Sequence, residues 1–235
     1  MSDALLELTD VGFAWPGQAE LLDIPYLRLD TGQSLFLRGP SGSGKTTLLS
    51  LLGGVQLPQR GAVRWLNTDL ASLSATRRDG FRADHSGYIF QQFNLLPFLS
   101  VRDNVELPCR FSSLRNHRAV QRHGSVRQGA EQLLERLGLG PALWSQRAGN
   151  LSIGQQQRVA AARALIGQPE LVIADEPTSA LDADARTGFI NLLFEECRAA
   201  GASLLFVSHD QSLTAHFDRA LDLSALNRAA TPGER

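Results

Sequence analysis

Short apolar segments bounded by turn residues open the chain. Residues 5–15 and 24–29 are two such segments, next to the dipeptides Pro16-Gly17 and Thr31-Gly32. Segments of this kind are typical of strands, and two in close succession predict an antiparallel sheet. A further strand is predicted over Ala62–Trp65. The chain is therefore expected to begin with antiparallel β-structure.

Continuous apolar runs recur further along the chain. They are Ser34–Leu37, Gly87–Phe90, Leu171–Ala174 and Ser203–Val207, and a helix-like stretch from Ala183 to Ala199 separates the last two. Short runs of this kind favour buried strands. Because these strands alternate with helices, they predict a mostly parallel sheet with flanking helices.

The segment from about Leu99 to Ala164 has a helical pattern instead. Its stretch His117–Leu137 is rich in Arg, Gln, Ala, Leu and Glu, and Gly124 and Gly129 weaken its first half. Four residues of this predicted helix are available for a core-facing stripe: Val120, Leu133, Leu134 and Leu137. The whole pattern predicts an α/β core into which a mainly helical lobe is inserted.

Composition narrows the class of protein. Of the 235 residues, 43% are hydrophobic and 20% are charged, as is usual for soluble globular proteins. A formal net charge of −1 gives no electrostatic argument for nucleic-acid binding. No stretch approaches the ~18 apolar residues of a membrane span, and the first residues lack the features of a signal peptide. We expect a cytosolic chain for which another chain would supply any membrane spans.

Two cysteines, Cys109 and Cys197, lie far apart without Cys or His neighbours in a metal-binding spacing. This pattern favours buried or half-buried thiols in a reducing compartment rather than a metal site.

A phosphate-binding motif follows the strand Ser34–Leu37. It matches the pattern G-x-x-x-x-G-K-[ST] and consists of Gly39, Pro40, Ser41, Gly42, Ser43, Gly44, Lys45 and Thr46. Its three glycines allow the backbone to curl so that successive N–H groups face phosphate oxygens, and the following helix N-terminus adds partial positive charge. Lys45 can reach the β- and γ-phosphates, and the Thr46 hydroxyl can bind Mg²⁺.

Two adjacent carboxylates, Asp175 and Glu176, end the apolar strand Leu171–Ala174. In proteins with a phosphate-binding loop, an Asp at such a strand end holds Mg²⁺. The next carboxylate can polarise the water that attacks the γ-phosphate. A strand that ends in Asp-Glu is, by itself, more often structural, but the motif upstream favours the functional interpretation.

Polar residues also follow two other strands. His209 lies just beyond Ser203–Val207, at the sheet edge where ligands of open α/β sheets bind, and we expect it to contact the γ-phosphate. Gln91 follows Gly87–Phe90 and could contact Mg²⁺ or its water, although Gln92 competes for this role and ordinary polar capping is an equal alternative. The remaining histidines are expected at the surface: His85, His117, His123 and His216.

The sequence Leu151-Ser152-Ile153-Gly154-Gln155 begins another helix. Ser and Gly at a helix start predict a second anion-binding N-terminus. The alternative is a capping box between Ser152 and Gln155, and both interpretations can hold together.

Taken together, these motifs resemble those of the ATP-binding cassette (ABC) ATPases over essentially the whole chain. In family order they are Gly39–Thr46 as Walker A, Gln91 as Q-loop, Leu151–Gln155 as signature, Asp175 and Glu176 as Walker B, Ser179–Asp182 as D-loop and His209 as switch histidine. Trp15 corresponds to the adenine-stacking aromatic residue of the family's A-loop, with Phe13 as its buried neighbour. Ile153 departs from the family, which usually has Gly there.

The resemblance implies a P-loop NTPase core of residues 1–90 and 165–228, a helical lobe of residues 91–164 and a tail of residues 229–235. It implies ATP and Mg²⁺ as cofactors. Gly39 through Thr47 would hold the phosphates, with Thr46, Gln91 and Asp175 at the metal. Lys45, Gln91, Glu176 and His209 would serve catalysis.

The resemblance also implies partners. Two cassettes, as a homodimer or with a second ATPase subunit, would close head to tail around ATP, so that Ser152, Gly154 and Gln155 of one contact the nucleotide of the other. A membrane permease would dock near Gln91–Val105 and hold the chain at the inner face of the membrane. Arginines of the lobe offer an alternative mode of membrane association, direct binding to anionic lipid: Arg115, Arg118, Arg122 and Arg127.

The stretch Tyr88–Pro108 resembles the branch of the family that serves lipoprotein-release and macrolide-export transporters (LolD/MacB-like). The function implied is ATP hydrolysis coupled to export or to lipoprotein or lipid extraction. The alternative is a regulatory switch of the cell-division type, which would signal through a membrane partner without transport.

Overall fold

A computed structural model describes residues 4–179 and 181–229. The chain divides into two compact units, and the second comprises the described residues between 83 and 204. The first unit comprises residues 4–82 and 205–229. The division into a core and a lobe at residues 91–164 stays a prediction.

The described residues form strands and helices that are numbered here in chain order. The strands are β1 (Ala4–Ala14), β2 (Glu20–Asp30), β3 (Ser34–Arg38), β4 (Arg60–Trp65), β5 (Thr68–Asp69), β6 (Ser86–Ile89), β7 (Leu171–Asp175), β8 (Ser203–Val207) and β9 (Arg219–Asp222). The helices are α1 (Lys45–Leu52), α2 (Ala75–His85), α3 (Val101–Phe111), α4 (Ser113–His123), α5 (Val126–Arg136), α6 (Pro141–Trp144), α7 (Ile153–Leu165), α8 (Ala183–Ala200) and α9 (Leu223–Leu226).

Two sheets confirm the predicted fold class. The first unit contains the antiparallel sheet with strand order β2-β1-β4-β5. A five-stranded sheet comprises β3 and β6 to β9. Its pairs β3–β9, within the first unit, and β6–β7, within the second, are parallel. Since parallel strands need crossover connections, the long segments between them are helical.

Apolar residues of the first unit fill the space between its elements. Phe36 of β3 stacks on Phe206 of β8 at 6.1 Å, and Phe217 contacts both rings at 5.2 Å. On β2, buried side chains largely alternate with half-buried or exposed ones, as expected for a strand covered on one face.

Small residues let α7 pack closely in the second unit. Its buried face includes Ala160, Ala161, Ala162 and Ala164. A Cβ atom at Gly87 of β6 would lie 2.0 Å from the Ala164 carbonyl oxygen, so only glycine permits this approach. The strand predicted at Gly87 can therefore lie this close to α7 only because residue 87 has no side chain.

The single helix predicted over His117–Leu137 is wrong. The structure has two helices, α4 and α5, because Gly124 takes a positive φ of 83° and Ser125 caps a new helix. Val120 is exposed rather than part of the core, whereas Leu133, Leu134 and Leu137 are buried as expected. The helical propensity of the segment was correct, but the glycine ended the first helix.

Arg115 of α4 is 2% exposed and lies among backbone carbonyl groups. Its guanidinium donates to the carbonyl oxygens of Ile166, Ala164 and Ser86, with distances of 2.8 Å, 2.8 Å and 2.9 Å. The first two carbonyls belong to the C-terminal end of α7, where a helix leaves its acceptors unpaired. Burial lowers the pKa of Arg115 to about 10, so it remains charged at neutral pH.

We predict that Arg115→Leu lowers the free energy of unfolding by about 3 kcal/mol or more, because several buried carbonyls lose their donor. Urea unfolding measures the change. The control is Arg127→Leu, which removes an exposed arginine paired with Glu131 and should cost less than about 1 kcal/mol. Equal small losses in both variants would contradict the importance of the buried guanidinium.

Candidate functional site

The phosphate loop leads directly into α1. Gly42 and Gly44 have positive φ angles of 80° and 93°, which glycine adopts without strain. Gly44 is the N-cap and has no side chain with which to cap α1, so the first N–H groups of the helix remain available to an anion. Lys45 Nζ donates to the carbonyl oxygens of Gly39 at 2.6 Å and Pro40 at 2.9 Å, which places its ammonium group against the loop.

The side chain of Ser43 gives a second, independent indication that this loop binds a ligand. Its hydroxyl oxygen is buried and has no hydrogen-bond partner among the described residues. A buried polar atom without a partner costs free energy, and at functional sites it often marks the position of a ligand. The loop therefore has the geometry expected of a phosphate cradle.

Trp15 follows the end of β1 in the same unit. Its ring meets that of Phe13 edge to face, with centroids 5.1 Å apart. Phe13 is buried and Trp15 is half-buried, as expected for an aromatic platform and its supporting neighbour. His209, also in this unit, is exposed just beyond β8.

Asp175 and Glu176 lie at the end of β7, whose preceding residues are buried. Glu176 has a left-handed backbone with φ of 46°, which is strained for a residue with a side chain. The buried Gln157 of α7 donates to the Pro177 carbonyl oxygen at 2.7 Å and so supports the turn that follows. Sequence reasoning missed Gln157, because it lies in the polar run Gln155–Arg158 and nothing in that run distinguishes it from its neighbours.

Gln91 and Gln92 are both exposed, at the start of a turn in the second unit. Phe93 and Asn94 continue this turn with positive φ angles of 58° and 48°. Arg163 of α7 donates to their carbonyl oxygens at 2.5 Å and 2.7 Å. Its role was also missed, because the partners lie 69 and 70 residues away in sequence.

The signature helix begins with the predicted capping box. Ser152 Oγ accepts from the Gln155 N–H at 3.3 Å, and Gln155 Oε1 accepts from the Ser152 N–H at 2.9 Å. The N–H groups of Ile153 and Gly154 have no intrahelical acceptor, which leaves them available to an anion. Ile153 is 54% exposed, and a side chain at Gly154 would enter open space. Of the D-loop, Ala180 lies outside the described residues.

All four arginines considered for lipid binding have partners within the protein. Arg115 is buried, and Arg118 pairs with Glu170 at 2.7 Å. Arg122 donates to the Ala199 carbonyl oxygen, and Arg127 pairs with Glu131. Arg115 thus cannot reach a membrane surface, and lipid contact by the others would compete with existing interactions.

His85 is not the surface residue expected. Its Nδ1 lies 2.9 Å from Glu170 Oε2, and its side chain is largely buried. Burial alone would raise the pKa of Glu170, but hydrogen bonds from His85 and Arg118 outweigh it and lower the pKa to about 2. The carboxylate is therefore ionised at neutral pH and serves structure. Cys109 and Cys197 are buried, as expected.

Comparison with known proteins agrees with the family that these motifs indicate. A family profile described as ABC transporter matches residues 22–179. The chain belongs to the ABC transporter family. This membership and the P-loop fold confirm the class of protein expected from the sequence, an ATP-binding cassette with ATPase chemistry.

The relatives of this ABC cassette include exporters. The chain is 40% identical over 231 residues to the macrolide export ATP-binding/permease protein MacB of Hyphomonas neptunium, covering 95% of this chain and 34% of that protein. It thus spans about a third of the length of MacB. It is 42% identical to the uncharacterized ABC transporter ATP-binding protein YbbA of Escherichia coli K12, covering 82% of this chain and 81% of that one.

Solved structures of the ABC family share the fold of the cassette. The dimeric post-hydrolysis state of the ATP-binding cassette MJ0796, bound to ADP and Pi, has 31% sequence identity and a TM-score of 0.77. The match covers 92% of this chain and 93% of the MJ0796 chain.

We predict that Gly154→Asp nearly abolishes ATPase activity without unfolding the chain, because a carboxylate at this helix start repels phosphate while its side chain has open space. Ile153→Gly should change the rate only modestly. Steady-state phosphate release measures both. Gly154→Asn is the matched neutral control and should retain more activity than Gly154→Asp. Equally severe losses in the Ile153 and Gly154 variants would show that Ile153 is itself a specialised contact.

Proposed function

We propose that this chain is the ATP-hydrolysing subunit of an export transporter, in which ATP-driven closure of two cassettes drives a membrane permease. The observation that carries the proposal is the glycine-capped start of α1, whose free N–H groups and adjacent Lys45 form a phosphate cradle. The name of the relative MacB, which specifies macrolide export, supports the transport direction.

Each predicted residue has a chemical role in this proposal. Trp15 stacks on adenine, and the loop from Gly39 to Thr47 holds the phosphates. Glu176 accepts a proton from the attacking water, and His209 contacts the γ-phosphate. Lys45 offsets the charge that develops on the phosphoryl oxygens.

Mg²⁺ would be held by Thr46, Gln91 and Asp175 together with the nucleotide. A hydroxyl, an amide oxygen and a carboxylate are hard oxygen ligands, which suit this ion. When bound, the ion would neutralise charge on the β- and γ-phosphates. The described residues contain no group of three or more His, Cys, Asp or Glu placed to hold a metal ion.

The proposal includes a head-to-tail pair, either two copies of this chain or this chain with a second ATPase subunit. Ser152, Gly154 and Gln155 of one cassette would then contact the ATP of the other. The N–H groups at the start of α7 support this role, and the dimeric structure of MJ0796 provides a precedent.

A membrane permease is the proposed partner, and it would hold the chain at the cytoplasmic face. The MacB relatives are named as ATP-binding/permease proteins. No helix among the described residues is long and apolar enough to cross a membrane. The permease would dock near Gln91–Val105, where Phe98 is 67% exposed. No observation favours the cell-division alternative, and it is not proposed further.

We predict that Glu176→Gln preserves ATP binding but slows hydrolysis enough to accumulate a closed dimer, since the amide keeps the shape and cannot accept the proton. Size-exclusion chromatography with saturating Mg²⁺-ATP should give a dimer for the variant and mostly monomer for the unmodified protein.

The control is Glu195→Gln on the exposed face of α8, which should behave as the unmodified protein. A Glu176→Gln protein that stays monomeric with ATP, or that hydrolyses at the original rate, would remove Glu176 from this role.

We predict that Phe98→Ala releases the chain from membranes of its native cell while ATP binding is retained, because an apolar docking contact is lost. Recovery in the membrane fraction measures the effect. Phe111→Ala is the control, since Phe111 is 77% exposed but lies outside Gln91–Val105. Phe93, which is 6% exposed, is unsuitable because its substitution would disturb packing.

The salt dependence of membrane recovery distinguishes docking to a protein from adsorption to lipid. A protein-docked chain should remain on the membrane in moderate salt, whereas arginine-mediated adsorption should fall steeply. Unchanged recovery of Phe98→Ala together with release by salt alone would contradict the permease proposal.

A further inference from the structure

The backbone just before Trp15 is held by a side chain from a distant part of the first unit. Gln59 Nε2 donates to the Ala14 carbonyl oxygen at 2.8 Å, and the Ala14 N–H donates to Gln59 Oε1 at 2.6 Å. The Gln59 backbone N–H also donates to the Gly12 carbonyl oxygen at 2.9 Å. One residue therefore makes three hydrogen bonds to two residues at the end of β1, Gly12 and Ala14.

The register of β1 and β4 explains why a side chain is needed there. Leu8 pairs with Val63, a bulge follows Thr9, and Gly12 pairs with Arg60. Continuing this antiparallel register would place Ala14 opposite Pro58, which has no N–H to donate. The Gln59 amide supplies both a donor and an acceptor, so it replaces the missing peptide group of the neighbouring strand.

The other side of Trp15 is fixed by a tight turn. The Gln18 N–H donates to the Trp15 carbonyl oxygen at 2.9 Å, and Gly17 has a φ of 74°. Pro followed by Gly with positive φ is the arrangement of a type II turn. Trp15 therefore lies between two fixed points of the backbone, this turn and the hydrogen bonds of Gln59 to Ala14. The ring of Phe13 packs against its side chain.

We infer that Gln59 is a positioning residue for recognition of the nucleotide base, acting through Trp15. It contacts no phosphate-loop residue in the hydrogen bonds it makes, so its contribution belongs to the base and not to the triphosphate. The inference rests on the proposed stacking of adenine on Trp15. Gln59 itself is exposed and is not part of the buried core, so we expect Gln59→Ala to fold normally.

The test compares two ligands that differ in the base. Equilibrium binding of ATP and of inorganic tripolyphosphate, each with Mg²⁺, is measured for the unmodified protein, Gln59→Ala, Trp15→Ala and the double variant. Gln59→Ala should weaken ATP binding about fivefold, the size expected for lost exposed hydrogen bonds. Its Kd for tripolyphosphate should stay within about twofold, which also reports an intact phosphate loop. The double variant should bind ATP no more weakly than Trp15→Ala.

Each contrary result has a distinct meaning. If Gln59→Ala weakens both ligands equally, or if its effect adds fully to that of Trp15→Ala, Gln59 does not act through Trp15 and the inference is overturned. If Trp15→Ala weakens ATP binding and Gln59→Ala does not, the inference fails while the proposed stacking survives. If Trp15→Ala leaves ATP binding unchanged, the stacking role and the inference fail together, although the phosphate site stands.

Discussion

The buried guanidinium of Arg115 is the interaction on which the second unit depends. The C-terminal end of α7 has carbonyl groups without intrahelical donors, and burying them unpaired would cost several kcal/mol. Arg115 satisfies two of these groups and the carbonyl of Ser86 on β6, so one side chain joins α4, α7 and a strand. The hydrogen bonds offset the cost of burying the charge, and that cost appears as the lowered pKa of Arg115.

Helix α7 links this interaction to the motifs of the unit that are proposed to act on ATP. Its 13 residues span about 20 Å, with the signature at the start and Arg163 near the end. Gln157 supports the turn after Glu176, and Arg163 supports the turn after Gln91. Signature, Walker B turn and Q-loop turn are thus attached to one rigid element. A displacement of α7 would therefore move all three motifs.

Backbone strain coincides with these attachment points. Glu176, Phe93 and Asn94 have positive φ angles that cost free energy for residues with side chains. Each strained turn receives a hydrogen bond from a buried or half-buried polar side chain of α7, which offsets that cost. In the first unit the loop around Lys45 achieves its curvature with glycines, and the Gln59 amide completes a ladder that Pro58 interrupts. Both units therefore hold irregular backbone in place at the motifs proposed to act on ATP.

The sequence by itself determined the fold class, most strands and the candidate chemistry. Periodicity and turn residues reveal local structure, and a motif such as Gly39–Thr46 carries its geometry within eight neighbouring residues. Only the tertiary structure decided that Gly124 splits a helix, that Val120 is exposed, and that His85 pairs with Glu170. It also decided the roles of Arg115, Gln157, Arg163 and Gln59. Their partners lie between 20 and 70 residues away, and the partner atoms of most are backbone carbonyls, which every residue has. Such contacts leave no pattern in the sequence because they depend on where the chain folds back.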